Sequence, residues 1–165
     1  MKSFQVVLKA LSDSQANFLV VGGFAAIAHG SAYVTDDLDI CYERTTENYK
    51  KIMRAIGQFH PRPRGIPENL KAPFDEHSLA QGTNFTLPTD IGNLDLLGEL
   101  SGVGGYRDLA KDAIPLDLGG VICKVASLRA IIRSKEAANR PKDLALLPEL
   151  RALQTMKDAE KKSKS

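Results

Sequence analysis

Val20-Val21-Gly22-Gly23-Phe24-Ala25-Ala26-Ile27-Ala28-His29-Gly30, followed after a short loop by Thr35-Asp36-Asp37-Leu38-Asp39-Ile40, decides how this chain is read. The first stretch closes the β-prone run Phe18–Val21 with two glycines and continues into an Ala-rich segment. That order is a strand, a glycine turn and a helix. The second stretch alternates polar and apolar residues through Tyr42, the period-two pattern of a strand with one buried face. Asp37 and Asp39 then project from one face, and Leu38 and Ile40 from the other. Two like charges so close oppose folding unless cations or basic groups compensate them. Asp36 is expected to point away from the pair.

Outward from this centre, Phe4, Val7, Leu8 and Leu11 recur at helical spacing and predict an amphipathic first helix. A helix is predicted over Thr46–Ile56, and strands over Thr83–Leu87 and Gly92–Leu97, with Pro88-Thr89-Asp90 as the turn between them. Ala113–Leu118 and Val121–Val125 flank Gly119-Gly120, a tight hairpin connection. Ser127 caps a helix from Leu128 to about Ala138, and Pro141 opens a last helix reaching about Met156. The interval from Gly57 to Gly82 holds Pro61, Pro63, Pro67 and Pro73 and reads as a long excursion. No repeat or linker divides the chain, so residues 1–157 are expected to form one domain and 158–165 a flexible Lys-rich tail.

A third carboxylate follows in Asn93-Leu94-Asp95-Leu96-Leu97, where flanking leucines put Asp95 opposite two buried side chains. Asp90 and Asp117 are nearby alternatives without that pattern. If the two strands are neighbours, three carboxylates converge. Hard cations such as magnesium favour such oxygens and complete their shell with water and substrate phosphates. Gly22-Gly23 lets the backbone approach a ligand closely, so phosphate oxygens can meet free N–H groups there. Neither GxGxxG nor GxxxxGK[ST] occurs.

Composition sets the bounds. With 165 residues, 43% hydrophobic and 25% charged, the chain can bury one ordinary core. Its 22 basic and 20 acidic residues nearly balance and decide nothing about nucleic acid. Arg62, Arg64 and Lys71 concentrate positive charge in the Pro-rich excursion and could line an entrance. Cys41 and Cys123 lack zinc spacing and read as reduced core residues. No run of about eighteen apolar residues occurs, so no membrane contact and a cytoplasmic location are expected. His29, ending an apolar helix, reads as a hydrogen-bonded structural residue rather than a substrate contact. Lys124 reads as a strand residue reaching solvent, and Lys135 as either a surface residue or a phosphate ligand. Arg140, Lys142 and Asp143 read as an ion-pair network stapling the last helix to the sheet.

The GG turn, the DxD pair and the later single Asp together resemble the signature of the DNA polymerase β-like nucleotidyltransferase superfamily. The nearest likeness is to minimal prokaryotic nucleotidyltransferases of the AbiEii kind, many of them toxin-antitoxin components. Lys135, Arg140, Lys142 and Asp143 resemble a Lys-then-Arg-Lys-Asp stretch in the last helices of such proteins. Gly23 stands where many relatives carry Ser, which removes a hydroxyl that could touch a phosphate.

The resemblance implies an α/β (α+β) fold, a short mixed sheet with helices packed around it. It also implies magnesium-dependent transfer of a nucleoside monophosphate from an NTP such as ATP to a hydroxyl, releasing pyrophosphate. Asp37, Asp39 and Asp95 would be the catalytic and metal-binding residues, holding two Mg2+ ions that Mn2+ could replace. Gly22, Gly23, Thr35, Lys135 and Lys142 would bind the nucleotide. A tRNA end or a partner protein is the expected acceptor in preference to a small molecule, and a cognate toxin or antitoxin is a further expected partner. The alternative is a catalytically inactive binding or antitoxin module.

Overall fold

The computed structural model describes residues 2–67, 69–70 and 73–164, with the side chains of Lys2 and Ser3 outside that description. The chain opens with α1 (Lys2–Asp13), β1 (Phe18–Val21), α2 (Gly22–Ala28), β2 (Asp37–Tyr42) and α3 (Thr46–Ile56). After the excursion come α4 (Glu76–Gln81), β3 (Asn84–Thr89), β4 (Gly92–Leu97) and a small ladder of β5 (Glu99–Leu100) with β6 (Gly104–Gly105). The chain continues with α5 (Tyr106–Ala110), β7 (Ile114–Asp117), β8 (Ile122–Val125), α6 (Leu128–Ala138) and α7 (Pro141–Lys164).

Six strands form one mixed sheet in the order β3-β4-β2-β1-β8-β7. β2 runs antiparallel to β1 and parallel to β4, while β3/β4 and β7/β8 are antiparallel hairpins. The expected mixed sheet backed by helices is therefore what forms. All four residues of the central strand β1 are buried, as its unbroken apolar run requires. Leu38, Ile40, Leu94 and Leu96 join Leu8 and Leu11 of α1 and Ile52 and Ile56 of α3 in one hydrophobic core. Among the described residues, no helix is long and apolar enough to cross a membrane.

Three local expectations need correction. Pro88 and Thr89 belong to β3, not to a turn, with Pro88 paired to Asn93 and Thr89 to Gly92. An edge strand tolerates proline because the N–H it lacks is not required by a further strand. The excursion carries its own structure, a 3-10 turn at Gly57–Phe59 and α4. Asp75 caps α4 by accepting from the Ser78 N–H at 3.0 Å, which sets its start. Finally, α7 passes Met156 and runs to Lys164, because its last turns are mostly Lys, Glu and Ala, residues that favour helix without burial.

The α1 face provides a test of this packing. Leu8 is fully buried whereas Val6 is 51% exposed. Leu8→Ala is expected to destabilise the fold by about 2–5 kcal/mol and Val6→Ala by no more than about 0.5 kcal/mol, measured by urea unfolding. Equal effects would contradict the assigned face.

Candidate active site

Parallel pairing of β2 with β4 sets Asp39 opposite Asp95 and Asp37 opposite Asn93. Because side chains alternate, all four lie on one face, while Leu38, Ile40, Leu94 and Leu96 are at most 2% exposed on the other. The structure thus brings together the three acids that the sequence singled out. Asn93 Nδ2 donates to Asp37 Oδ1 at 3.1 Å and fixes that carboxylate. Asp39 Oδ1 and Asp95 Oδ1 are buried without any hydrogen-bond partner.

Burial pushes the Asp39 carboxyl up to about 7, helped by the neighbouring Asp95 carboxyl and by the charge of Asp37; Lys135 opposes the shift. A like charge beside a half-buried carboxyl disfavours its ionised form. Among the described residues, no three His, Cys, Asp or Glu side chains converge as a finished metal cage. The donor set nonetheless suits magnesium, which takes one or two carboxylates and leaves its other positions to water and phosphate. The orphaned oxygens of Asp39 and Asp95 are the atoms that fit such an ion.

Gly22 meets two demands at this point. Its φ is +67°, and a Cβ there would stand 2.1 Å from Asp39 Oδ2, so only glycine allows the backbone to lie against the carboxylate. At Gly23 the space is already taken, since a Cβ would stand 2.6 Å from Tyr33 Cε1. The Thr35 hydroxyl is engaged with the backbone of Asp37, accepting from its N–H at 3.2 Å. Thr35 therefore orients the entry to β2.

The acids line a polar cavity of about 110 Å³ together with Gly23, Tyr33, Thr35, Lys135, Arg140, Lys142, Asp143 and Leu146. Its far wall is built on α6 and α7. Asp143, 1% exposed, receives Arg140 Nε at 2.6 Å and Lys135 Nζ at 3.2 Å. Burial works against ionising Asp143, but hydrogen bonds from Arg140 and Lys135 hold its carboxyl below the usual range. The expected network is present with two corrections. It joins α6 to α7 rather than a helix to the sheet, because Lys135 and Asp143 sit on those two helices. Lys142 is exposed and stays out of it, at the cavity wall.

Other candidates fall elsewhere. Asp90 bonds His60 Nδ1 at 2.5 Å, and Asp117 accepts from the Gly120 N–H at 2.6 Å in the β7–β8 turn. Asp36 and Lys124 are exposed. His29 is 8% exposed with Nε2 at 2.8 Å from the Ala126 carbonyl, the structural role expected of it. Arg62 and Arg64 line a different hollow of about 250 Å³ beside Pro88, and Lys71 lies outside the described residues. Sequence reasoning passed over two residues. Asn93 was visible as the same-face neighbour of Asp95, two positions earlier; Tyr33 lies in a loop whose course carries no periodic signal.

No protein-family profile and no curated protein matches the sequence. Solved structures do. A Thermotoga maritima protein described as a candidate nucleotidyltransferase superposes with TM-score 0.54 at 16% identity, covering 96% of this chain and 92% of that one. The antibiotic-resistance factor ANT(2″)-Ia matches in its solution structure with TM-score 0.59 at 16% identity, covering 97% of this chain and 85% of that one. Its crystal structure in complex with adenylyl-2″-tobramycin matches with TM-score 0.55 at 14% identity, covering 98% and 97%. At such identities the likeness is one of fold, and the fold is that of nucleotidyltransferase structures.

The raised Asp39 pKa makes a pH prediction. A carboxyl whose folded value exceeds its unfolded value of about 3.9 contributes stability below that value and loses it as pH rises through the folded one. In EDTA, the Asp39 contribution should therefore disappear as pH climbs through about 7. Asp39→Asn should melt higher than wild type at about pH 9, by on the order of 2 kcal/mol, with the gap closing toward about pH 4. Thermal melts across pH measure it, and parallel curves would refute the assignment.

Proposed function

We propose that this protein transfers a nucleoside monophosphate from an NTP to a hydroxyl acceptor. The observation that carries this reading is the pair of buried, unpartnered oxygens on Asp39 and Asp95, residues that line a cavity together with Lys135, Arg140 and Lys142. Acids on one wall and cations on the other suit a metal-complexed triphosphate.

Asp37, Asp39 and Asp95 would hold magnesium. Bound there, the ions would lower the pKa of the attacking hydroxyl and neutralise the departing pyrophosphate. The chain's own groups do the positioning. Asn93 keeps Asp37 aimed at the shared face. Asp143 holds Lys135 and Arg140 in place, so their charges are set before substrate arrives. Lys142 is free to meet the triphosphate, and the bare backbone at Gly22 and Gly23 is where its oxygens would approach.

The finer reading is a minimal AbiEii-like transferase of the toxin-antitoxin kind, supported by the sequence resemblance from Val20 to Asp39. With it goes a tRNA end or a partner protein as acceptor. A small-molecule acceptor has its own support, since ANT(2″)-Ia is seen with adenylyl-2″-tobramycin. The convergence of Asp37, Asp39 and Asp95 on one face is a reason to prefer a catalytic reading over an inactive binding module.

With labelled NTP, magnesium and cell lysate, wild type should transfer label. Asp39→Asn should abolish transfer with its circular dichroism unchanged, and Lys142→Ala should raise the KM for NTP by about tenfold at similar kcat. Turnover surviving Asp39→Asn would overturn the mechanism. Separation of RNA, protein and small-molecule fractions then identifies the acceptor, and label confined to the last would exclude a macromolecular one.

A further inference from the structure

A second hollow, of about 240 Å³, opens where the end of α2 meets the β8–α6 junction and the C-terminal half of α7. It shares no lining residue with the acid cavity. His29, Asp112, Ser127, Arg129, Lys157 and Lys161 line it. The seven residues of α2 span about 10 Å, with Gly22 at one end and His29 beyond the other. The hollow is therefore a neighbour of the candidate active site and separate from it.

Its charge is unbalanced. Lys157 is half-buried, and Lys157 Nζ lies against Nδ1 of buried His29. The other ring nitrogen faces the Ala126 carbonyl at 2.8 Å. A backbone carbonyl can only accept, so Nε2 carries the proton and Nδ1 accepts from the ammonium; His29 is neutral and gives Lys157 no countercharge. Burial and the Lys157 charge hold the His29 pKa below its ordinary value, consistent with that state. Lys161 and Arg129 form no ion pair among the described residues. The single carboxylate in the lining, Asp112, accepts from the Ser127 hydroxyl at 2.8 Å. Glu160 lies on α7 near Lys157 but does not line the hollow.

We infer that this hollow is a binding site for a phosphate group, held by Lys157, Lys161 and Arg129. Lys157 spends one of its three N–H donors on His29 and keeps two for an anion. Arg129 supplies the planar fork that matches phosphate oxygens. Three cations on two helices share a concave site with one carboxylate, Asp112, and the positive charge left over favours an anion. The ligand class is a phosphate-bearing molecule, either a free nucleotide or the backbone of a polynucleotide.

The test uses the full chain in EDTA, which removes metal-dependent phosphate binding at the acid cavity. Inorganic phosphate and a short single-stranded RNA are titrated into wild type, Lys157→Gln, Arg129→Gln and Asp39→Asn. Binding is followed by the His29 ring signals in NMR and by melting temperature. Phosphate should shift the His29 signals in wild type and Asp39→Asn alike, with affinity about tenfold weaker in each cation variant. Arg129 is exposed, so its variant remains informative if Lys157→Gln fails to fold. Equal affinity for phosphate in wild type and Arg129→Gln, or no response of His29 to either titrant, would overturn the site. RNA binding much tighter than phosphate binding, and lost with the same variants, identifies a polynucleotide; RNA binding no tighter than phosphate identifies a free nucleotide.

Discussion

Two carboxylates are forced together by strand register, and most of the remaining architecture accommodates that fact. Asp39 faces Asp95 because β2 and β4 run parallel with Leu38 against Leu94 and Ile40 against Leu96. Slipping either strand by one residue would separate the acids and turn that strand's two leucine or isoleucine side chains out of the core. Hydrophobic burial on one face of the sheet thus sets the electrostatics on the other. The oxygens of Asp39 and Asp95 left without partners follow from that register.

That arrangement extends beyond the sheet. Gly22 lies against Asp39 with no side chain between them, so one edge of the acid pair is backbone. On the opposite side, Asn139 adopts a left-handed conformation that ends α6, and Pro141 starts α7 at once. The tight turn folds the two helices back on each other and lets buried Asp143 hold Lys135 and Arg140 together. Glu149, a turn and a half further along α7, bonds the Ser31 hydroxyl, whose oxygen accepts from the Tyr33 N–H at 3.0 Å. The cationic wall and the loop entering β2 are therefore tied to the same helix.

Much of this was legible in the sequence because alternation reports the face of a side chain. Asp39 and Asp95 each sit between apolar neighbours and Asp37 stands two residues before Asp39, so their orientation followed from a period of two. The adjacency of β2 and β4 did not follow, since period says nothing about which strands pair; the family resemblance implied it. Lys142 shows a related limit. Its place in a charged run suggested a share in the ion pairs, but Asp143 points inward and Lys142 outward, one helical residue apart. The ladder of β5 and β6 escaped notice because its strands are two residues each and one is Gly104-Gly105, with no side chains to alternate. Tyr33 escaped for a further reason, since its position depends on a hydrogen bond to Ser31 that is set by Glu149, 118 residues from Ser31.

The size of the acid cavity bears on what the site can recognise. At about 110 Å³ it falls well below the roughly 300 Å³ at which pockets begin to enclose whole small-molecule ligands. Under the proposed function, the cavity admits ions and phosphate oxygens while sugar and base lie outside it. Its polar walls then read the triphosphate, which every NTP shares. Choice among bases falls to side chains at the rim, where Tyr33 and Leu146 are the apolar surfaces present. Choice of acceptor falls to the open side of the sheet, where Thr86 of β3 faces Asp95 across the strand pair. Chemistry and selectivity are thereby assigned to different parts of the molecule. The acids are fixed by the core, and the rim combines the Tyr33 loop with Leu146 on α7.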